Sequence, residues 1–514
     1  MMRRIILLLM LSNSIALAQY NNNHWVIGLK PTEVNFTDTG VENHLYGNAT
    51  YPYNAFARGH SIISNDSIIL SCNGYFLFNG RGVLIEDGDN IVPKKLVDQQ
   101  DLFSGLQQQS IILPKKDSQY YVFVWSLSDA SFDIGINTGI YSWDILTYSI
   151  VDMKANNGEG KVISKMNYLL QDDTLGSSQM SAVRHANGRD WWLVKPKGYG
   201  HQLYTYLVSA DGISPPNLQI FDSPSLSNGN RGQSNFSEDG SLYALCSIWS
   251  DVIQINKFDR CTGLFTKYRT VTSPIDTVYY YDPILEKDTS YTRKIGTGIC
   301  FSPNNKYVYI AGQFEIYQYD IELDEFTKLR TDTIINWNEY MGLYNAANGR
   351  IYAGYHDGLA HAMSYIEFPN TKGKAAGLCQ MCYQTVDYTA GCPPNMPNYN
   401  LGALVGSDCD TIRPTVDTST NIESVLVPNA FSPNGDGLND TWHILNLPYL
   451  QQEGIVFQQV GVYNRWGNCV FKSNDINFAW RAKGWAMDSY YYYIRYKRKD
   501  GVEKVQKGSV ELVR

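Results

Sequence analysis

The chain of 514 residues is long enough for two to four domains, and its 44% hydrophobic and 18% charged residues can bury a sizeable core, which excludes wholesale disorder. Its 38 Tyr and 11 Trp, set among many Asn, Ser and Gly, suit pleated half-buried surfaces and turns, so the composition points to an all-β protein and away from coiled-coil or collagen-like chains. A net charge of −8 argues against nucleic acid as the partner. The charge is unevenly spread: 11 Lys+Arg stand against 8 Asp+Glu from Leu426 onward, a net of +3, and 29 against 42 over residues 19–425, a net of −13.

Residues 1–18 read as a secretory signal peptide. Arg3 and Arg4 form the positive start, Ile5 to Leu11 the apolar run, and Ala16-Leu17-Ala18 the cleavage site before Gln19. Ser12, Asn13 and Ser14 break the apolar run well short of the roughly 20 residues that span a bilayer. The mature chain has no apolar stretch of that length, so no transmembrane segment is expected in it.

From about residue 66 short strand-like runs recur with turn punctuation. They are Ser67–Ser71, Gly74–Phe78, Tyr120–Trp125, Trp191–Lys195, Leu203–Val208, Leu242–Ile248, Val252–Phe258, Tyr307–Ala311, Ile316–Asp320 and Ile351–Gly354. No long stretch repeats apolar residues at helical spacing, so few helices are expected. One phrase recurs. Phe236-Ser-Glu-Asp-Gly-Ser-Leu-Tyr243 and Phe301-Ser-Pro-Asn-Asn-Lys-Tyr-Val308 are two versions, with Ala186-Asn-Gly-Arg-Asp-Trp191 and Ala347-Asn-Gly-Arg-Ile-Tyr352 as shorter ones. Each sets a polar turn before an aromatic or β-branched strand, and two are followed by acidic turns at Asp259 and Asp320. A turn–strand–link–strand–Asp turn unit is the inner part of a propeller blade, and radial repetition leaves an all-β chain only short, protected edges.

These residues resemble the WD-repeat-like propellers of secreted bacterial proteins. His185 to Trp192, and Leu401-Gly402 after Pro397-Asn-Tyr399, resemble Bacteroidetes exported proteins more specifically. The expectation is one β-propeller over 19–410. Seven blades of about 56 residues are favoured over six or eight, longer than the roughly 40–45 of ordinary WD repeats.

Candidate chemistry is sparse. Nine cysteines, all beyond residue 18, suit an oxidising compartment, and an odd count leaves at least one without an intramolecular partner. Cys379-Gln-Met-Cys382, followed by Cys392 and Cys409, lacks the second pair or nearby His of a zinc site, so local disulfides are the better reading. His356 and His361 flank Asp357 on a loop or strand, a weak metal candidate beside the plain reading of turn histidines. Asp172-Asp173 and Glu238-Asp239 are adjacent acids, which face opposite ways on a strand and so are no ready catalytic pair. Arg184 and Arg231 are candidates to line a propeller face. No nucleophile-elbow or zinc-protease motif occurs, so no catalytic residue is assigned and no cofactor is expected.

Residues 411–425 are polar and read as a linker, and 426–514 as a small β-sandwich of Ig-like kind. Val460 to Phe471 reads as two strands about Gly467-Asn468, and Tyr490–Tyr496 and Lys504–Val513 pair about Asp500-Gly501. Phe431-Ser-Pro433-Asn434-Gly435-Asp436-Gly437-Leu-Asn439-Asp440-Thr-Trp442 and Asn464-Arg465-Trp466-Gly467 closely resemble the gliding-motility-associated C-terminal domain, the type B sorting domain of the type IX secretion system. Two departures stand out: Arg481-Ala482 follows Trp480 where the family has Asp-Gly, and Met487-Asp488-Ser489 replaces a Pro/Gly turn.

The resemblance implies a Bacteroidetes protein carried through the periplasm to the cell surface or the medium, with the type IX machinery as partner. The propeller is then expected to act as a binding or adhesion scaffold for an extracellular protein or glycan. A propeller hydrolase or lyase, or a component of the gliding or secretion apparatus, are the alternatives. Asn434, Asp436 and Asp440 are weak calcium candidates. Ser432 and His443 stand where an EF-hand loop needs its first acid and its closing Glu, so a self-bonded turn whose Gly435 and Gly437 matter more than its acids is the expectation.

Overall fold

The computed structural model describes residues 22–498 and 501–513, apart from 29–30, 38–39, 48–55, 57–58, 100–106, 172, 199–200, 221–231, 248–249, 251, 283–285, 295, 313–314, 330–339, 356–361, 385–391, 411–424, 426, 429, 434–440 and 445–454. The chain divides into two compact units, 1–412 and 413–514.

The described strands of the first unit form seven successive sheets, each an antiparallel meander in chain order. The first is β1 (His24–Ile27), β2 (Thr32–Thr37) and β3 (Gly40–Leu45); the second is β4 (Ser61–Ser64), β5 (Ile68–Cys72) and β6 (Leu77–Asn79). The third is β7 (Ser110–Pro114), β8 (Gln119–Ser126), β9 (Ile145–Asp152) and β10 (Lys161–Leu170). The fourth is β11 (Ser181–Arg184), β12 (Trp191–Pro196), β13 (Gln202–Val208) and β14 (Asn217–Ile220). The fifth is β15 (Ser234–Phe236), β16 (Leu242–Leu245), β17 (Val252–Asp259) and β18 (Leu264–Thr272). A separate hairpin, β19 (Ile275–Asp282) and β20 (Lys287–Lys294), precedes the sixth sheet, β21 (Gly298–Phe301), β22 (Tyr307–Ala311), β23 (Ile316–Asp320) and β24 (Glu325–Lys328). The seventh is β25 (Tyr340–Asn345), β26 (Ile351–Tyr355), β27 (Ala362–Ile366) and β28 (Leu378–Gln384).

These sheets are the blades of a propeller. First strands pack on first strands, as in β4 on β7, β15 on β21 and β21 on β25. The first strands β1, β4 and β21 are buried along their whole length, whereas the last strands β3, β14 and β18 are mostly exposed. That gradient is what radial stacking produces, with inner strands at the axis and outer strands at the rim. The ring closes where one apolar cluster joins Trp25, Val34 and Phe36 of the first blade to Tyr344, Tyr352 and Met363 of the seventh. Trp25 meets Tyr352 edge-on at 5.5 Å, and the Tyr383 hydroxyl donates to Asn43.

The repeated phrase is a turn device. In Phe236–Tyr243 the Ser237 hydroxyl donates to Asp239 (2.6 Å), Asp239 accepts from the Ser241 amide (2.9 Å), and Gly240 takes φ 72°. In the sixth blade Ser302, Asn304 and Asn305 (φ 58°) fill the same roles. Gly and Asn tolerate the left-handed region best, which is why the phrase ends in one or the other. The acidic turns work alike: Asp259 accepts from the Cys261 amide, and Asp320 from those of Glu322 and Leu323.

Strand ends moved in two places. The strand expected at Gly74–Phe78 starts at Leu77, because Asn73 accepts from the Tyr75 and Phe76 amides and holds a turn there. Leu242–Ile248 ends at Leu245. Among the described residues the α-helices are α1 (Lys94–Asp98) and α2 (Asp129–Thr138), the latter capped by Ser128, whose hydroxyl accepts from the Ser131 amide, and closed by Gly139 at φ 74°.

In the second unit β29 (Ala430–Phe431), β30 (Val456–Tyr463), β31 (Cys469–Ser473), β32 (Asp488–Lys497) and β33 (Glu503–Leu512) form one five-stranded sheet in the order β29-β33-β32-β30-β31. Against one face lies a short antiparallel bridge between Trp442 and Trp480. The core between these layers holds Phe431, Trp442, Val460, Val462, Phe478, Trp480, Tyr490, Ile494, Val510 and Leu512. Ala482 is buried at φ 45°, in the place where the resembled family has glycine.

Candidate functional site

A segment that follows the last blade occupies the propeller axis. Residues 392–398 carry no regular secondary structure and, with Tyr399, are almost wholly buried. Asn395 donates from one amide nitrogen to Ser110 O and Met180 O (both 2.9 Å), belonging to or adjoining the first strands of the third and fourth blades. The Tyr399 hydroxyl donates to Ile112 O (2.6 Å) and Ile62 O (3.2 Å), and Arg184, stacked 3.9 Å from the Trp191 ring, donates to Tyr399 O (2.8 Å). Gln108 and Gln233 tie the first strands to one another. Gln108 donates to Ser234 O and accepts from its amide, while Gln233 accepts from Ile299 and Leu343. Beyond the axis Arg260 donates to Gly402 O, and the disulfide Cys261–Cys409 fastens the end of the segment to the β17–β18 turn.

The pocket left at the axis is lined by Asn22, Gln108, Ser181, Ser237, Glu238, Asn345, Asn395 and Asn398, among others. Water centres can occupy about 50 Å³ of it, room for roughly three to five waters at about 10–15 Å³ each. Among the described residues that line it, Glu238 is the only carboxylate. Its two oxygens accept from the Asn345 and Asn398 side-chain amides, both at 2.7 Å. Burial raises the Glu238 pKa above its ordinary 4.5, against the Asn345 hydrogen bond, with the Asp239 charge adding to the rise. An acid whose folded pKa is raised favours the folded state most when protonated, so its contribution falls as pH rises above 4.5. Melting of the wild type and Glu238→Gln across pH 4 to 8 is expected to show the wild type losing ground to the variant as pH rises. A constant difference would contradict the shift.

The adjacent acids part company, but in the turn after β15 and not on a strand: Glu238 bonds across the pocket and Asp239 caps its own turn. Asp173 pairs with Lys197 (2.7 Å) and accepts from the Tyr204 hydroxyl. Cys379 and Cys382 form a disulfide. Cys409 departs from the expected local pairing, since its partner Cys261 is 148 residues away in sequence, brought close by the return of the chain through the axis. Burial pushes the Cys72 thiol up to about 11 and the Cys246 thiol up to about 12, which suits inert core cysteines, not nucleophiles. The signal segment 1–18, Arg231, Asp172, His356, His361 and the loop residues Asn434, Gly435, Asp436, Gly437, Asn439 and Asp440, with the calcium candidates among them, lie outside the described residues. Among the described residues no group of three or more His, Cys, Asp or Glu could hold a metal ion.

The described part of the sorting motif has two kinds of residue. Phe431 and Trp442 are core, and the Trp442 indole nitrogen donates to Pro428 O (2.8 Å). Pro433 follows the β29 strand and is half-buried. Asn464 holds the β30–β31 turn by accepting from the Trp466 and Asn468 amides (both 3.0 Å), with Gly467 at φ 80°. Arg465 pairs with Asp488, and Trp466 at the tip is 79% exposed. Missed in the sequence was the axial segment; its one signal was the run of prolines and asparagines before Tyr399.

Residues 425–512 match the CHU_C Type IX secretion signal domain. No curated protein matches the chain. Among solved structures it is similar to a protein from Lactobacillus plantarum, at 12% identity and a TM-score of 0.42 over 72% of this chain and 98% of that one. A putative 6-phosphogluconolactonase from Bacteroides uniformis gives 14% and 0.31, over 63% and 93%. PorZ, a surface component of the type IX secretion system of Porphyromonas gingivalis, gives 12% and 0.32, over 94% of this chain and 63% of PorZ. Activities do not transfer at such identities. The secretion signal domain marks this protein for export to the cell surface or beyond it. Among the described residues no helix is long and apolar enough to cross a membrane.

Proposed function

We propose that this protein is type IX cargo whose propeller works outside the cell as a rigid binding scaffold for an extracellular protein or glycan. On this reading residues 1–18 direct the chain to the periplasm, and the second unit hands it to the type IX machinery. The observation that carries the scaffold reading is the filled axis. Where a propeller enzyme would gather ionisable groups from several blades, buried asparagines and glutamines tie the first strands together, and among the described residues a single carboxylate lines the small pocket, already bonded by two amides. Binding then falls to the loops at the two faces, which a rigid ring presents at fixed spacing.

Removal of residues 413–514 is expected to leave a folded propeller, with its melting transition intact, in the periplasm, and to abolish its appearance at the surface and in the medium. Cell fractionation with a blade-specific antibody reads the outcome. Undiminished secretion of the truncated chain would refute the export reading.

A further inference from the structure

The outward face of the second unit's sheet carries a built surface that the core does not use. Strand pairing sets its rows: Lys472, Gly461, Tyr493 and Lys507 lie across the sheet, with Cys469, Tyr463, Tyr491 and Ser509 in the next row and Gln459, Arg495 and Val505 on the other side. Tyr493 stacks on Tyr463 at 6.0 Å and bonds the Gln459 amide oxygen through its hydroxyl (2.6 Å). Its ring lies so close over Gly461 that a Cβ there would meet it at 2.6 Å. The Arg495 guanidinium sits 5.4 Å from the same ring. The aromatic platform is therefore fixed in place yet open, with Tyr491 55% and Val505 51% exposed.

Charge on this face is ordered too. Lys472, Arg495 and Lys507 surround the tyrosines in the central rows and are exposed. The carboxylates of the face, Glu503 and Glu511, stand at its two ends, where Gln458 and Ser489 donate to them. Tyrosine and arginine are the residue types that anchor protein interfaces, because they offer large rigid area with a polar tip. Three cations with no carboxylate between them select an acidic counterpart.

We propose that this face, built on Tyr463, Tyr491 and Tyr493 with Lys472, Arg495 and Lys507, docks an acidic surface of a protein partner on the export route. The proposal rests on the reading of the second unit as an export signal and adds where that signal is read. The test uses the full chain carrying Lys472→Glu, Arg495→Glu and Lys507→Glu. The secreted fraction is expected to fall about tenfold or more, as like charges set against one another repel, with the protein retained in the periplasm and its melting unchanged. A chain with Lys472→Gln, Arg495→Gln and Lys507→Gln, which removes attraction without adding repulsion, should fall between it and wild type. A control with Lys116→Glu, Lys306→Glu and Lys374→Glu on exposed propeller positions changes the net charge equally and should be exported normally. Export of the first variant at wild-type yield overturns the docking face while the 413–514 truncation still tests the export reading separately. Sedimentation of the wild type, but not the first variant, with phosphatidylglycerol vesicles would assign the face to a membrane and overturn the protein partner.

Discussion

Replacing Cys261 and Cys409 by serine is expected to lower the stability of the propeller by about 3–5 kcal/mol, against about 2 kcal/mol or less for the same change at Cys379 and Cys382. The difference follows from the length of chain each bridge closes, 148 residues in one case and three in the other. The long bridge has a second role. It fastens the end of the axial segment, whose Asn395 and Tyr399 satisfy backbone carbonyls of the second, third and fourth blades. If the segment leaves the axis, those carbonyls lose their donors and the blades lose a shared partner. Urea unfolding of the two double-serine variants checks this. Equal losses would show that the axial segment holds itself in place without the bridge.

The contrast between blades and axis also explains what could be read from the chain alone. Blade strands are specified locally: an aromatic or β-branched run such as Tyr307–Ala311 follows a turn whose Ser, Asn and left-handed residue are adjacent in sequence. The strands such runs predict coincide with the observed ones to within a few residues. Gly74–Phe78 failed because a single Asn side chain, bonding two amides, outweighed the strand-like composition after it. The axial site is specified non-locally. Asn395 is 285 residues from the carbonyl of Ser110 and 215 from that of Met180, so no window of sequence contains the interaction. Glu238 likewise read as half of an adjacent acid pair, and only the approach of Asn345 and Asn398 from distant segments gives it an axial setting. In the second unit the hairpins at Gly467 and Gly501 were legible from their turn residues, each glycine at a φ near 80°. The basic aromatic face was not, because its members are gathered from three strands by register.

Two tryptophans of the sorting motif should respond in opposite ways, and the larger effect belongs to Trp442. Its side chain is 0% exposed, packed 4.9 Å from Tyr492 and 5.5 Å from Phe478 between ring centroids, with its indole nitrogen donating to Pro428 O. Trp442→Ala therefore leaves a cavity and an unpaired carbonyl, a loss of about 3–5 kcal/mol. A small domain has a net stability of roughly 5–15 kcal/mol, so at the low end of that range the variant unit stands near its unfolding midpoint. Trp466, 79% exposed at the tip of the β30–β31 turn, packs no core, and Trp466→Ala should change stability by about 0.5 kcal/mol or less. The two variants separate folding from recognition. Trp442→Ala should lose export together with the melting transition of the second unit and regain export at lower growth temperature. Trp466→Ala should melt like wild type, so any export it loses belongs to a contact made by the turn itself. Melting followed by near-ultraviolet circular dichroism, beside secreted yield at two temperatures, decides the matter. An unchanged melting transition in Trp442→Ala would show that the packing of its side chain on Tyr492 and Phe478 is not what holds the second layer to the sheet.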